Sequence, residues 1–303
     1  MRVLAVIVLY KMLPNDSASF RTLRTAMLRL QGDQKDIKVV LYDNTPCGQD
    51  ASELPIGVHY KADYENGGLA KAYNYALEIA YEEGYDWLLT LDQDSNLPLD
   101  FLCRLCNTAR FAASLGNVAA IVPFVHSDGR VISPVRRMKH FPKTAQFPDG
   151  FVGISLVKTI AVNSASTIKV SALRAIGGYD PRFYLDQSDI VLYHRLHCNN
   201  FSVFVAGNIH VEHELSIFDL NNRSTLNRYE DALRAEEAFY DEYMGWAEGV
   251  VLLLRILHLL IYRLRRTGGG LAYFKVGLRF LFRRLFYSRK HRVNEWTRST
   301  KRG

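Results

Sequence analysis

Short apolar runs alternate with helical patterns in the first part of the chain, and this alternation restricts the fold more than any other feature. Each run lacks a polar face, which is typical of a strand covered on both sides. The runs are Leu4–Tyr10, Ile37–Tyr42, Trp87–Leu91 and Val118–Val122. Apolar residues at helical spacing lie between them. The sequence therefore predicts an α/β fold with a single doubly wound, mainly parallel sheet.

Polar side chains follow three of these runs, at the point where each predicted strand ends. Tyr10, Asp43 and Asp92 hold these positions. Open sheets of this kind bind ligands beyond the carboxyl ends of their strands. We therefore expect the three residues to meet in one crevice.

The third strand end continues as Asp92-Gln93-Asp94, with two carboxylates on one turn. Divalent cations such as Mg²⁺ or Mn²⁺ prefer oxygen ligands, and a bound diphosphate can supply the remaining ones. The segment Ile209–Glu214 adds His213; an isolated histidine is more often structural, but a histidine can complete a site otherwise built from oxygens. These residues predict a metal and diphosphate site.

Two glycines open a predicted helix in the segment Asn66–Asn74. Backbone N–H groups at such a helix start can approach phosphate or ribose closely. The segment is neither G-x-G-x-x-G nor a Walker A motif. The chain therefore lacks the sequence fingerprints of Rossmann dehydrogenases and of P-loop proteins.

Asp186 and Asp189 lie three residues apart at the predicted start of another helix. We expect that one carboxylate caps this helix while the other points into the crevice. A carboxylate beside an acceptor hydroxyl can act as general base, as transfer to an alcohol requires. The sequence alone leaves open which of the two is the base.

The charge of the chain is unevenly distributed. From Val251 onwards there are 14 Lys or Arg residues and one acid, whereas the first 250 residues carry a net charge of −6. Residues 271–287 place Phe274, Leu278, Phe282 and Phe286 among arginines, which suits a helix in the interface of an anionic bilayer. Nucleic acid could use the same charge, but no nucleic-acid-binding motif accompanies it. We predict a domain at 1–225 and a membrane-associating extension at 226–303.

The ordered set of motifs resembles family 2 glycosyltransferases, and more narrowly the bacterial rhamnosyltransferase branch. The motifs are D-N at 43–44, N-x-G-x-A-x-A-x-N at 66–74, W-L-L-T-L-D-Q-D-S at 87–95, G-G-Y-D-x-x-F-x-x-D-x-x-D at 177–189 and E-H at 212–213. Where relatives usually read N-S-G, this chain has Asn163-Ser164-Ala165. The resemblance implies a GT-A-type fold and transfer of a sugar, L-rhamnose in that branch, from a dTDP- or UDP-sugar.

The resemblance also implies a role for each matching residue. Asp43 corresponds to the residue that reads the donor base, and Asp189 to the general base of an inverting, single-displacement reaction. Asn66, Gly68 and Asn74 correspond to the segment that lines the nucleotide and the sugar. Asp92 and Asp94 correspond to the pair that binds Mg²⁺ or Mn²⁺ and the diphosphate, with His213 assisting them.

Together these features predict a glycosyltransferase with a lipid-linked saccharide acceptor, acting in cell-surface polysaccharide synthesis. Four cysteines and the absence of a signal-peptide cleavage pattern favour the cytoplasm, on the inner face of the cell membrane. A sugar-phosphate nucleotidyltransferase is an alternative, but the segment Tyr10–Pro14 lacks the glycine- and basic-rich loop expected of one. A non-catalytic membrane- or nucleic-acid-binding protein on the same scaffold is the second alternative.

Overall fold

The computed structural model describes residues 1–30, 36–50, 54–138, 143–213, 225–266 and 270–300. The chain divides into two compact units. The sheet unit comprises Met1–Arg137 and Thr144–Glu214, and the helical unit comprises Met138–Lys143 and Leu215–Gly303. The predicted functional boundary at 225/226 stays a prediction.

Thirteen strands lie in the described residues, and ten of them form one sheet. The strands are β1 Val3–Leu9, β2 Ile37–Asp43, β3 Val58–Ala62, β4 Trp87–Asp92, β5 Ser95–Asn96, β6 Val118–Ser127, β7 Arg130–Ser133, β8 Val135–Arg137, β9 Thr144–Gln146, β10 Val152–Ile154, β11 Thr159–Ile160, β12 Ser166–Lys169 and β13 Ser202–His213. The sheet order is β10-β13-β6-β12-β4-β1-β2-β3, with β5 beside β13 and β7 beside β6. A second, small sheet has the order β11-β8-β9.

The large sheet is mainly parallel, as predicted. Strands β1 to β4 run parallel to one another, and β13 runs parallel to β6. Four short strands reverse the direction: β12 is antiparallel to both β4 and β6, β10 and β5 are antiparallel to β13, and β7 is antiparallel to β6. The α/β architecture expected from the apolar runs is therefore confirmed.

Helices cover both faces of the sheet, which explains why its central strands are apolar throughout. The helices of the sheet unit are α1 Ala18–Met27, α2 Gly68–Glu82, α3 Phe101–Ala113, α4 Val170–Ala175 and α5 Ser188–Cys198. All seven residues of β1 are buried. Leu4, Val6 and Val8 join a core with α2, α4 and α5, whereas Ala5 and Ile7 join a second core with α1 and α3. Successive side chains of β1 thus point to opposite faces of the sheet and pack into two separate cores.

Two later segments form strands whose bounds their sequence indicates poorly. Phe151–Val162 is rich in apolar and β-branched residues but forms only the short strands β10 and β11. The apolar run at 201–205 covers only the first part of β13, which continues to His213. Its register against β6 shifts between Ala206 and His210, next to Gly207. A Cβ at Gly207 would lie 2.3 Å from the carbonyl oxygen of Phe151, so the glycine permits a close contact inside a continuing strand instead of ending it.

The helical unit contains α6 Leu226–Tyr243, α7 Trp246–Arg266, α8 Gly270–Phe286 and α9 Arg289–Thr300. Several arginines of α8 are paired with acidic side chains inside the helical unit. Arg279, Arg283 and Arg284 form ion pairs with acidic residues of α6, namely Glu230, Glu237 and Asp241. The acids of α6 therefore bind guanidinium groups that could otherwise contact lipid headgroups, and the membrane association of this region stays a prediction. None of the described helices has the length and hydropathy needed to span a membrane.

Candidate active site

The carboxyl ends of four parallel strands lie side by side at one edge of the sheet. Leu9 of β1 is level with Asp43 of β2, and Asp43 is level with Ala62 of β3. On the other side of β1, Val8 is level with Asp92 of β4. The structure therefore brings Tyr10, Asp43 and Asp92 to one edge, where ligands of open α/β sheets bind.

The acidic turn, Asp92–Ser95, is held by the start of α1. The hydroxyl of Ser17 donates to the carbonyl of Gln93 over 2.7 Å, and the backbone N–H of Ser95 donates to the hydroxyl of Ser19 over 2.9 Å. The side chain of Gln93 accepts a hydrogen bond from the backbone N–H of Tyr10 over 2.8 Å. These bonds fix the turn against two neighbouring elements, so its carboxylates have a defined direction.

His213 lies between the two carboxylates of the acidic turn. Pairing of β5 with β13 sets His213 opposite Ser95, and the Ser95 hydroxyl lies 3.0 Å from His213 Nδ1. His213 Nε2 is 3.7 Å from Asp92 Oδ2, and His213 Nδ1 is 3.2 Å from Asp94 Oδ1. His213 itself is buried. The three predicted metal-binding residues are thus neighbours in space.

One oxygen of this group has no hydrogen bond. Among the described residues, no donor reaches Asp94 Oδ1 with hydrogen-bond geometry, although the atom is buried. Asp92 differs, since its Oδ1 accepts a hydrogen bond from the hydroxyl of Tyr73 over 3.1 Å. Burial raises the pKa of Asp92, and the charge of Asp94 adds to the rise while His213 opposes it. Within the described part of the chain, no three His, Cys, Asp or Glu side chains are close enough to hold a metal ion by themselves.

Asp189 lies in the first turn of α5, with its side chain partly exposed. Its Oδ1 accepts a hydrogen bond from the backbone N–H of Ile190 over 2.7 Å. Burial raises the pKa of Asp189 to about 6; the charges of Asp92 and Asp186 act in the same direction. Asp189 thus satisfies one backbone N–H of the first turn, and which of the two aspartates faces an acceptor stays a prediction. Gln187 holds the N-cap position with a left-handed backbone, φ 63°, and its side chain makes no capping bond.

The start of α2 contacts protein instead of open space. The carbonyl oxygen of Tyr184 accepts hydrogen bonds from the backbone N–H groups of Leu69, over 2.6 Å, and of Ala70, over 3.3 Å. Gly68 has φ +82°, and a Cβ there would lie 2.4 Å from that same carbonyl oxygen. The prediction that these helix-start amides are open to phosphate was therefore wrong for Leu69 and Ala70. A direct role of Asn66 and Gly68 in donor binding stays a prediction.

Asn74 joins two distant parts of the sheet unit. Its amide nitrogen donates to the carbonyl oxygen of Tyr179 over 2.9 Å, and its amide oxygen accepts from the Tyr179 N–H over 2.8 Å. A Cβ at Gly178 would lie 2.5 Å from that amide oxygen. The side chain thus positions the segment that leads to Asp189. Its contact with a sugar, which the family resemblance implies, stays a prediction.

Asp43 is fully buried and has a complete set of donors. One carboxylate oxygen accepts from the Thr45 N–H over 2.9 Å and from the Gln49 side chain over 3.0 Å. The other accepts from the hydroxyl of Tyr60 over 2.5 Å. Burial, and then this bond, raise the pKa of Tyr60. Asp43 therefore holds the loop that begins at Thr45. Its contact with the donor base, which the family resemblance implies, stays a prediction.

Asp63 is a site residue that the sequence analysis missed. It follows β3, and its carboxylate accepts hydrogen bonds from the Tyr42 hydroxyl over 2.8 Å, the Lys71 ammonium over 3.0 Å and the Gly67 N–H over 3.1 Å. Burial alone would raise the pKa of Asp63, but Lys71 and Tyr42 together hold it below its usual value. Asp63 therefore links the ends of β2 and β3 to the start of α2.

Several residues near the carboxyl ends of the parallel strands have a strained backbone. Lys11, Asn66, Ala165 and Gln187 all have left-handed φ values, between 52° and 64°. Ala165, the departure from N-S-G described above, donates its N–H to the Thr90 carbonyl over 2.8 Å. Non-glycine residues in this conformation cost free energy and concentrate at functional sites. The departure at Ala165 was visible in the sequence, although its backbone conformation was not.

The acidic turn of this mainly parallel sheet lies beyond the carboxyl ends of its strands, where open α/β sheets bind their ligands. A family model described as Glycosyl transferase family 2 matches residues 20–176, and the chain belongs to this family of glycosyltransferases. No curated protein sequence matches the chain.

Solved structures show the same fold at low sequence identity. The structure of GalNAc-T7 with UDP, GalNAc and Mn²⁺ has a TM-score of 0.55 and 14% identity, with 80% of this chain and 49% of that one covered. S. aureus TarS 1–349 in complex with UDP-GlcNAc has a TM-score of 0.55 and 10% identity, with 100% and 91% covered. This chain therefore spans about half the length of the GalNAc-T7 chain and most of the TarS fragment.

Proposed function

We propose that the chain is an inverting, metal-dependent glycosyltransferase that uses a UDP- or dTDP-sugar as donor. The observation that carries the proposal is the buried oxygen of Asp94, which makes no hydrogen bond in the described structure and faces His213 next to Asp92. A buried carboxylate oxygen without a donor is costly unless a cation or a proton joins it.

The residues present would hold a divalent cation together with the diphosphate of the donor, not by themselves. Asp92, Asp94 and His213 offer two carboxylates and one imidazole, and the diphosphate of the donor supplies further oxygens. Mg²⁺ or Mn²⁺ bound there would neutralise the charge that develops on the leaving diphosphate. The GalNAc-T7 structure, which shares the fold, contains both UDP and Mn²⁺.

Asp189 is suited to remove the proton of the acceptor hydroxyl. A pKa of about 6 leaves most of the carboxylate ionised at neutral pH and close to the range in which a general base is effective. The acceptor oxygen forms a bond to the anomeric carbon while the bond from that carbon to the diphosphate oxygen breaks. The proton passes to Asp189, and the nucleoside diphosphate leaves with the bonding electron pair. Asp186, at the end of the loop before α5, is the alternative base.

The crevice side of β1 to β4 is the proposed donor site. Tyr10, 42% exposed, is available to contact the donor base, and Asp43 supports the base-reading loop from below. Asn66, Gly68 and Asn74 set the position of α2 and of the segment before α5. This donor site rests on the family and on the strand-end geometry.

The finer parts of the proposal concern the sugar and the acceptor. L-rhamnose as the transferred hexose rests on the motif resemblance. A lipid-linked saccharide acceptor on the inner face of the cell membrane rests on the basic C-terminal region, in which residues 225–303 carry 16 Lys or Arg and eight Asp or Glu. In this proposal the product belongs to a cell-surface polysaccharide.

Thermal denaturation with nucleotides tests the donor site. UDP, dTDP, GDP and ADP are each added with EDTA, Mg²⁺ or Mn²⁺ to the wild type and to Asp94→Asn. We expect metal-dependent stabilisation by UDP or dTDP of about 2.7 kcal/mol at a hundred times the Kd. Asp94→Asn should lose the metal dependence and keep the fold. Absence of any nucleotide effect in the wild type would contradict the proposal.

A further inference from the structure

Helices α7 and α8 of the helical unit form a closely packed antiparallel hairpin. A Cβ at Gly277 of α8 would lie 2.6 Å from Leu260 Cδ2 of α7, and a Cβ at Gly249 of α7 would lie 3.1 Å from the Arg284 guanidinium of α8. The start of α7 therefore lies beside the end of α8. Glycine at 277 lets the two helices approach closely, and Gly249 leaves room for the Arg284 side chain.

One side of this hairpin is covered by α6. Leu252, Ile256 and Leu260 of α7 and Val276 and Phe280 of α8 are buried. Two ion pairs run along the same side. Arg255 of α7 pairs with Glu236 over 3.0 Å, and Arg279 of α8 pairs with Glu230 over 3.0 Å. Both acids belong to α6, so α6 occupies this side of the hairpin.

The side that α6 leaves open carries a stripe of exposed apolar residues on each helix. We call this surface the hairpin face; its members are Trp246, Val250, Leu254, Leu257, Ile261, Leu271, Leu278, Phe282 and Leu285. Their exposed fractions lie between 43% and 83%. The spacing of three, four or seven residues places each stripe on one side of its helix. An exposed apolar surface of this extent marks an interaction site.

We propose that the hairpin face inserts into an anionic lipid bilayer, with the hairpin lying in the plane of the membrane. The inference rests on the proposed function, in which the acceptor is lipid-linked, and it assigns the membrane contact to apolar side chains. The helix arginines that the sequence pattern assigned to lipid headgroups are instead paired with α6. Burial of apolar side chains in the acyl boundary is then the main source of membrane affinity.

Charge favours a bilayer over a second copy of this chain as the occupant. Residues 225–303 have a net charge of +8. A symmetric dimer through the hairpin face would bring two such surfaces together, whereas an anionic bilayer attracts each of them. Exposed Lys275 of α8 and exposed Lys290 of α9 add to this attraction.

The aromatic residues at one end of the hairpin also suit a membrane interface. Trp246 begins α7 and Tyr287 follows α8, and both are exposed. The contact between Gly249 and Arg284 places them at the same end. Tryptophan and tyrosine are enriched at the level of lipid headgroups because their rings are amphipathic.

Vesicle co-sedimentation of the full chain tests the proposal. The vesicles are phosphatidylcholine alone or mixed with phosphatidylglycerol, and each is used at low salt and at about 0.5 M NaCl, where charge attraction is largely screened. The variant Leu254→Glu/Leu278→Glu places two charges on the hairpin face. Its matched control, Leu28→Glu/Leu156→Glu, places the same charges on residues of the sheet unit that are 86% and 97% exposed.

We expect the wild type and the control to bind anionic vesicles and to keep most of that binding at high salt. The hairpin variant should lose at least about tenfold in affinity. Trp246 emission should shift to shorter wavelength on vesicles, and Trp246→Phe should lack this change. Equal affinity of the two double variants would overturn the proposal, as would wild-type binding that high salt abolishes.

Two further measurements separate the possible failures. Sedimentation velocity without vesicles shows whether the wild type is a dimer that the hairpin variant dissociates; that result would assign the face to a second copy and overturn the bilayer proposal. UDP- and dTDP-dependent thermal stabilisation, measured on the same variants, reports on the donor site alone. Loss of nucleotide binding with intact vesicle binding would contradict the proposed function and leave the hairpin inference standing.

Discussion

Replacement of Asp189 by asparagine should stabilise the protein and abolish sugar transfer. Burial raises the pKa of Asp189 from 3.8 to about 6. A folded-state pKa above the unfolded value means that the stabilising contribution is complete below pH 3.8 and is lost as pH rises through 6. The difference corresponds to about 3 kcal/mol above pH 7, because each pH unit is worth about 1.36 kcal/mol.

The expected gain for Asp189→Asn at pH 7.5 is therefore between about 1 and 3 kcal/mol, since partial contact with water reduces the full value. Asparagine keeps the side-chain oxygen that accepts from the Ile190 N–H. A gain of this size raises the Tm by roughly 2 to 10 °C. At pH 5 the gain should fall to about half, because part of the wild-type carboxyl group is then protonated in the folded state.

The assay has two parts, both with the purified full chain. Thermal denaturation in EDTA from pH 5 to pH 8 gives the stability difference. Initial rates with donor and acceptor should fall at least about a hundredfold, with donor affinity retained. Wild-type transfer should itself decline as pH falls through about 6. Asp186→Asn is the matched control, with the same charge removed three residues earlier.

Three outcomes would refute this reasoning. A variant Asp189→Asn that is less stable than the wild type at pH 7.5 would show that the carboxylate is stabilised, not penalised, by its surroundings. A stability difference that does not change between pH 5 and pH 8 would show that titration is not its origin. Loss of transfer in Asp186→Asn, with activity kept in Asp189→Asn, would make Asp186 the base.

Three other substitutions test single contacts. Asp94→Asn should abolish turnover with saturating Mn²⁺ without lowering the Tm, because it removes charge from a buried oxygen that has no hydrogen-bond donor; wild-type rates would remove Asp94 from the metal site. Gly68→Ala should cost about 2 to 4 kcal/mol in urea denaturation, because its Cβ would lie 2.4 Å from the carbonyl oxygen of Tyr184 at a positive φ; an unchanged midpoint would argue against this close contact. Asn74→Ala should cost about 2 kcal/mol and lower the transfer rate, because two hydrogen bonds to Tyr179 are lost; a cost without a change in rate would limit Asn74 to stability.

The sequence predicted the scaffold of the site because its signals are local. Apolar runs that end in Asp43 and Asp92 identify buried parallel strands and the residues at their tips. Strand β3 gave no such signal, since Val58–Ala62 is only half-buried at the edge of the sheet and mixes polar with apolar residues. Asp63 was missed for the same reason, because a carboxylate is recognised as a site residue only when its strand is recognised first.

Other features depend on contacts between distant segments, which no local pattern contains. The carbonyl oxygen of Tyr184 accepts from the start of α2, more than 100 residues earlier in the chain, and thereby occupies amides that a helix start would otherwise offer to phosphate. The pairing of Arg283 with Glu237 likewise joins α8 to α6. In both cases the residue types were visible, and their partners were set by tertiary structure.

The position of β12 has a consequence for synthesis of the chain. Ile168 in β12 lies opposite Leu88 of β4 on one side and Ala120 of β6 on the other. Strands β4 and β6 are therefore not hydrogen-bonded to each other. The strand that joins them, β12, leaves the ribosome after both. Until then the nascent chain carries two apolar strands with open edges, which favours pairing with other chains. Fragments that end between Ser127 and Ser166 should therefore aggregate, even though they contain all four strands, β1 to β4, of the proposed donor site.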